Sequence, residues 1–367
     1  MIWNWQQKDW PHFTYDKDAM AALEERFLRQ SGLLLGAYKH INAEDKETLA
    51  IDLMSEEAAK SSEIENEFLN RDSLRSSIRR QLGLKADIRK STPAEQGIAE
   101  IMVDLYKNFV VPLDEAQLFG WHRMVSRGRG DLQEIGAYRT NAEDDPMQVI
   151  SPPDYRPTIH FEAPPSRRVP GEMKEFIVWF NAGAGLPALA RAGIAHLYFE
   201  CIHPFEDGNG RIGRAVSEKA LSQAVGEPAL TALSQTIHKN KKAYYERLEL
   251  NNKDSEITDW LLFFGETVLG AQQRTLQGIE FLIQKAKLYD RVRGQLNERQ
   301  GRVLERMFRE GPEGFKGGLS AKNYVSITGT SAATATRDLQ DLVEMGAFAR
   351  TGELKGTRYW LKVEGLG

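Results

Sequence analysis

His203–Arg214 reads HPFEDGNGRIGR. Within it, Gly208, Asn209, Gly210, Arg211, Ile212 and Gly213 satisfy G-x-G-x-x-G, the fingerprint of a dinucleotide-binding turn. That fingerprint needs a buried β-strand before its first glycine and a βαβ unit around it. Here the preceding residues place Ile194, Leu197, Tyr198, Cys201 and Ile202 at helical spacing, and helical patterns follow one another downstream. The context excludes a dinucleotide fold. It predicts a helix, a glycine loop and a second helix in a mainly α protein.

The loop's residue types describe a phosphate site. Pro204 biases His203 out of the α region, so the imidazole leaves the helix line. Gly208 and Gly210 permit positive φ, and converging backbone N–H groups then form an anion nest. The next helix adds the positive end of its dipole. Arg211 and Arg214 stand three apart in the expected first turn, where cations oppose that dipole unless a polyanion sits between them. Asp207 alone would repel phosphate, so it reads as a Mg²⁺ ligand shared with phosphates.

The surrounding chain sets limits. With 367 residues, 27% charged residues and a net charge of −4, it has length for two or three domains and no general polyanion-binding balance. No apolar run approaches the roughly 18 residues of a membrane helix, and no signal peptide is visible, so a cytoplasmic protein without membrane contact is expected. The single cysteine, Cys201, excludes an internal disulfide framework. Helical patterns cover about 18–40, 44–70, 94–110, 113–126, 171–181, 187–201, 211–225, 239–250 and 255–283, with Asp72 as N-cap of a further helix. Residues 144–170 hold seven of the fourteen prolines and two short β-like pieces, which fits a projecting hairpin. Beyond Tyr289, three helical patterns (297–309, 320–327, 331–345) precede a strand pair turning near Gly352–Gly356, the order of a winged helix-turn-helix.

HPFEDGNGRIGR resembles the Fic-domain signature H-P-F-x-[D/E]-G-N-G-R-x-x-R at every specified position. The resemblance implies a Fic helical fold with a β-hairpin flap, transferring AMP from ATP to a hydroxyl of a protein and releasing pyrophosphate. His203 would be the general base and Asp207 the Mg²⁺ ligand. Gly208 to Gly213 with Arg211 would cradle the phosphates, and Arg214 would take the γ-phosphate. Tyr245 and Asn252, with Tyr244 and Asn240, would line the adenine pocket. The flap, about 144–165, would register a protein substrate by main-chain pairing.

A second match, Ser61-Ser-Glu-Ile-Glu65-Asn66, resembles the family's inhibitory helix [S/T]-x-x-x-E-[G/N]. It implies that Glu65, with Ser61, engages Arg214 in place of the γ-phosphate. The same glutamate serves AMP removal in bifunctional relatives. Three domains are expected: residues 1–90 with the inhibitory helix at about 55–70, a catalytic core over 91–288, and a winged helix over 289–367. The resemblance leaves the target open, self-modification and a homodimer included. Phosphate or phosphocholine transfer is the variant reading, opposed by Gly210 and the intact Arg214. A regulator binding DNA or protein through its winged helix is the other: Arg337 and Arg358 favour DNA, whereas Asp338, Asp341 and Glu344 would oppose phosphate.

Overall fold

The computed structural model describes residues 2–87, 89–150, 158–229, 231–311, 315 and 317–363. The chain is mainly α. Helices α1 (Lys17–His40), α2 (Ala43–Ile64), α3 (Arg71–Gln81), α4 (Pro93–Asn108) and α5 (Glu115–Val125) come first. Strands β1 (Gln148–Ile150) and β2 (Ile159–Glu162) follow, then α6 (Val169–Ala182), α7 (Ala188–Ile202), α8 (Asn209–Val225), α9 (Leu233–Lys239), α10 (Lys241–Asn251) and α11 (Thr258–Arg291). The remainder is α12 (Glu298–Arg309), α13 (Ala321–Thr328), α14 (Ala332–Glu344), β3 (Phe348–Thr351) and β4 (Arg358–Leu361). Among the described residues no helix is long and apolar enough to cross a membrane.

The chain divides into two compact units. One holds residues up to Leu33 with Ala50–Gln273; the other holds Leu34–Leu49 with residues from Arg274 onward. Helix α7 is the axis of the first unit, buried at every position except Glu200. Such a helix carries no polar stripe, so it must be covered all round. Gly193 permits a close approach of α11: a Cβ there would meet Leu261 at 2.6 Å and Phe264 at 3.1 Å. The aromatic opening walls the flap root, with Trp3 edge-on to Phe161 at 5.4 Å and Trp5 Nε1 donating to Glu162 O at 2.6 Å. Strands β1 and β2 pair antiparallel with Gln148 opposite Glu162 and an irregularity between Val149 and Ile150. The flap residues 151–157 lie outside the described residues.

Several sequence expectations need correction. Helix α2 ends at Ile64 rather than Asn70, because Asn66 adopts φ 62 and Glu67 N–H closes back on Ser62 O at 2.9 Å. The N-cap of α3 is Asn70, whose side chain accepts from Ser73 N, and not Asp72. The expected helix 239–250 is α10, which starts only at Lys241 because Asn240 (φ −118) interrupts the chain; α9, just before it, is an addition to the expected elements.

The second unit has its own core, in which Leu288, Val303, Leu304, Tyr324, Leu339, Leu342 and Phe348 pack together. Strands β3 and β4 pair antiparallel from Phe348 opposite Leu361 to Thr351 opposite Arg358. Three helices and a hairpin thus follow in the expected order; residues 364–367 lie outside the described residues.

Candidate active site

The loop between α7 and α8 is held from three sides. His203 closes α7 in the left-handed region (φ 50, ψ 60), its N–H donating to Phe199 O at 3.0 Å. Proline at 204 predicted only departure from the right-handed helix; the helix terminus selects the left-handed cap. Phe205 is fully buried and stacks on His122 at 4.1 Å. The side chain of Asn209 is turned inward, accepting from Phe205 N at 2.9 Å and donating to Phe205 O at 2.8 Å. Asn209 therefore staples the loop with its amide and can offer an anion only its backbone.

The two glycines differ from expectation. Gly208 has φ 85, and a Cβ there would meet Val125 at 2.7 Å. Gly210 lies within α8 and has no positive φ. What Gly210 supplies is space, because a Cβ there would meet Glu65 Oε1 at 2.2 Å. Ile212 is fully buried, and a Cβ on Gly213 would meet Glu200 at 2.5 Å, so both face the protein interior.

Helix α8 begins at Asn209, which puts Arg211 in its first turn and moves Arg214 into the second. Arg214 is 1% exposed. Its Nε donates to Ser61 Oγ at 2.9 Å and its Nη2 to Ser61 O at 2.8 Å, with Glu65 Oε1 2.9 Å from the same Nη2. Burial opposes the charge of Arg214, but Glu65 beside it holds the guanidinium above its ordinary range. Arg211 Nη1 bonds Glu67 Oε2 at 2.6 Å, and its Nη2 stands 3.5 Å from Asp207 Oδ1. Asp207 also pairs with Arg129 and accepts from Gly208 N at 2.6 Å. Each charged group of the loop that the sequence singles out is thus paired within the chain.

His203 is largely buried, with 17% of its side chain accessible. Burial, reinforced by the charge of Arg139, pushes its pKa down to about 4, not the near-neutral value expected of a base. Arg139 itself is buried without a carboxylate: it donates to His203 O at 2.7 Å, to Asn141 Oδ1 at 2.8 Å and to Pro164 O at 2.5 Å. Next to the imidazole, burial and then Glu65 push Glu200 up to about 8.

A cavity of about 710 Å³ opens beside this loop, lined by Glu65, Glu200, His203, Gly210, Tyr245, Asn252 and the flap residues Val149 and Ile150, among others. Tyr245 is 39% exposed there, its hydroxyl donating to Ile64 O at 3.3 Å. Asn252 donates to His160 O at 3.2 Å. Tyr244 also borders the cavity, yet it is buried and its hydroxyl meets His196 Nε2 at 2.7 Å. Asn240 is not among the lining residues.

A divalent cation would find one carboxylate here. Burial works against the charge of Asp207, but Arg211, the Gly208 N–H and Arg129 together hold it below the ordinary range. Among the described residues no three His, Cys, Asp or Glu side chains cluster to hold a metal. One ionised carboxylate suits Mg²⁺ completed by phosphates and water, not an all-protein cage. Sequence reasoning did not single out Arg129, Arg139, Glu67, His122 or Glu200.

Two family models match the chain: the Fic/DOC family over residues 112–221 and a domain of unknown function, DUF4172, over residues 3–84. A probable protein adenylyltransferase of Aquifex aeolicus (strain VF5) is 30% identical over 88 residues, 24% of this chain and 25% of that protein. The match therefore spans about a quarter of that relative's length. In fold, the chain is similar to a Fic family protein of Desulfovibrio desulfuricans G20, with a TM-score of 0.55 and 22% identity over 97% of this chain and 99% of that one. A Fic domain containing signaling protein of Bacteroides thetaiotaomicron VPI-5482 gives 0.53 and 19% over 70% and 97%.

Proposed function

Starting from a chain that carries a Fic domain at residues 112–221, we propose that it is a protein adenylyltransferase held inactive by its own residues 61–67. The observation that carries this reading is the placement of His203 and Gly210 on one nucleotide-sized cavity beside a helix whose arginines are covered by Glu65 and Glu67. His203 Nδ1 lies 3.4 Å from the carbonyl of Glu200, which can only accept; in the proposed reaction Nδ1 carries the proton and Nε2 the lone pair. With its pKa pushed down to about 4, the imidazole is unprotonated at neutral pH and has a lone pair free to accept a hydrogen bond from an incoming hydroxyl.

In the reaction, Nε2 takes the proton of the incoming Ser, Thr or Tyr hydroxyl. That oxygen bonds to the α-phosphorus of ATP, and the bond to pyrophosphate breaks. The backbone N–H groups at the start of α8 and the guanidinium of Arg211 stabilise the charge on the phosphoryl oxygens. Arg214 holds the γ-phosphate. Asp207 would hold Mg²⁺, which neutralises phosphate charge when bound. Tyr245 and Asn252 wall the adenine end, and the exposed edge of β1–β2 pairs with the target backbone. Glu65 competes with the γ-phosphate for Arg214, and Ser61 holds the guanidinium in the inhibited position.

Incubation with α-³²P-ATP and, separately, γ-³²P-ATP tests the reading, using the Glu65→Gly variant and protein from cell extract. Label from the α position, lost in Glu65→Gly/His203→Ala, is expected. Label from the γ position alone overturns adenylyl transfer.

A further inference from the structure

The second unit carries features that phosphoryl chemistry does not use. Residues 291–367 hold 13 Lys/Arg against 9 Asp/Glu, a net positive charge in a chain of net −4. Helices α13 and α14 are joined by Gly329, Thr330 and Ser331. Gly329 (φ 70) closes α13 by donating to Val325 O at 2.8 Å, and Ser331 caps α14 by accepting from Thr334 N at 3.2 Å. A short glycine turn between two helices, followed by a hairpin, is the geometry that lays the second helix in the DNA major groove.

Three carboxylates on α14 stand against that use in the sequence, and the side chains remove two of them. Asp338 is 3% exposed. It accepts from Arg299 Nε at 2.8 Å, Arg299 Nη2 at 3.1 Å, Asn297 Nδ2 at 3.2 Å and Tyr324 OH at 2.9 Å. Its charge is spent fastening α14 to α12 and α13. Asp341 is half-buried and accepts from Gln300 Nε2 at 3.4 Å, again toward α12. Glu344 is exposed, but in the last turn of α14. Toward the other end Ala332, Ala333, Thr336, Arg337 and Gln340 are exposed, the last four spaced along one face. Their chemistry is that of base-edge readout: a guanidinium for guanine, an amide for adenine, and methyl groups for thymine. Arg350 is exposed on β3 and adds a cation for the phosphate backbone.

We propose that α14 is a DNA-reading helix, contacting duplex DNA through Ala333, Thr336, Arg337 and Gln340 while Arg350 engages a phosphate. This use is independent of nucleotide transfer at His203.

Full-length protein tests it by binding-site selection from a pool of random-sequence duplex DNA at low salt, followed by titration of the enriched duplex. An enriched sequence is expected, with Arg337→Ala weakening its binding about tenfold or more. Arg309→Ala, which removes an exposed cation from α12, should change binding less than about twofold. No retardation at low salt, or equal losses in the two variants, overturns the proposal. Retardation without an enriched sequence overturns it as well, since backbone attraction alone reads no bases.

Discussion

Two arginines flank the loop between α7 and α8, both essentially inaccessible to water, and they are satisfied in opposite ways. Arg139 meets carbonyls and an amide from the loop and the flap root: His203 O, Pro164 O and Asn141 Oδ1. Arg214 meets Ser61 and Glu65, which lie at the end of α2, more than a hundred residues away in sequence. Neutral acceptors leave a full positive charge beside His203, and burial drives the pKa of Arg139 down to about 10. A carboxylate partner does the reverse for Arg214. The first arrangement is built into the loop, because no anion can replace several backbone carbonyls at once. The second is exchangeable, because any anion of suitable shape can take the place of Glu65.

This contrast can be broken at either arginine. The largest effect is expected at Arg139, where Met leaves buried carbonyls and an amide without donors. Arg139→Met should lose on the order of 3–5 kcal/mol of stability, and thermal unfolding unchanged from wild type would show that the carbonyl cradle is not structural. Next is the titration of His203, followed by NMR of the imidazole. The folded-state pKa is depressed by burial and Arg139, so the neutral form persists as pH falls until about 4. Folding is therefore weakened as pH drops through the ordinary histidine range toward that value, because the unfolded imidazole gains a proton first. A midpoint near 6.5, the ordinary value, would contradict the influence of burial and of Arg139.

At Arg214 the effect falls on activity. Glu65→Gly removes one charge-assisted bond and should raise self-labelling roughly ten- to hundredfold; unchanged labelling with ATP bound would refute the inhibitory role. The smallest effect is expected from Glu67→Gln, because Glu67 is a third exposed and its partner Arg211 retains Asp207. Tighter ATP binding by a few-fold, without the rate increase of Glu65→Gly, is expected from calorimetry on the basis that exposed pairs contribute little.

The sequence made some of this legible and hid the rest for physical reasons. Twelve contiguous residues from His203 to Arg214 carry enough identity to separate a helix–loop–helix phosphate site from a strand-based one. Helical spacing upstream confirms that separation locally. Arg139, Arg129 and Glu67 carry no such signal, because each reaches the loop from 60 or more positions away through tertiary packing. Adjacent Tyr244 and Tyr245 illustrate a different limit. Neighbours on a helix point about 100° apart, and only the packing of His196 decides which one is buried. The charges of α14 show the same thing: composition counts Asp338 as a surface anion, whereas Arg299 and Tyr324 enclose it.

Gly210 carries a consequence for how such a lock can be lost. The space beside its Cα, which a single methyl would fill, is taken by an oxygen of Glu65. In the proposed reaction that space is needed again when phosphate replaces the carboxylate. In that reaction a methyl at 210 would crowd both the Glu65 carboxylate and the phosphate that takes its place, so a substitution there is not expected to yield an open enzyme. On that proposal, gain-of-function variants should arise at Glu65 and its neighbours rather than at Gly210, which would make the pair mutationally one-sided.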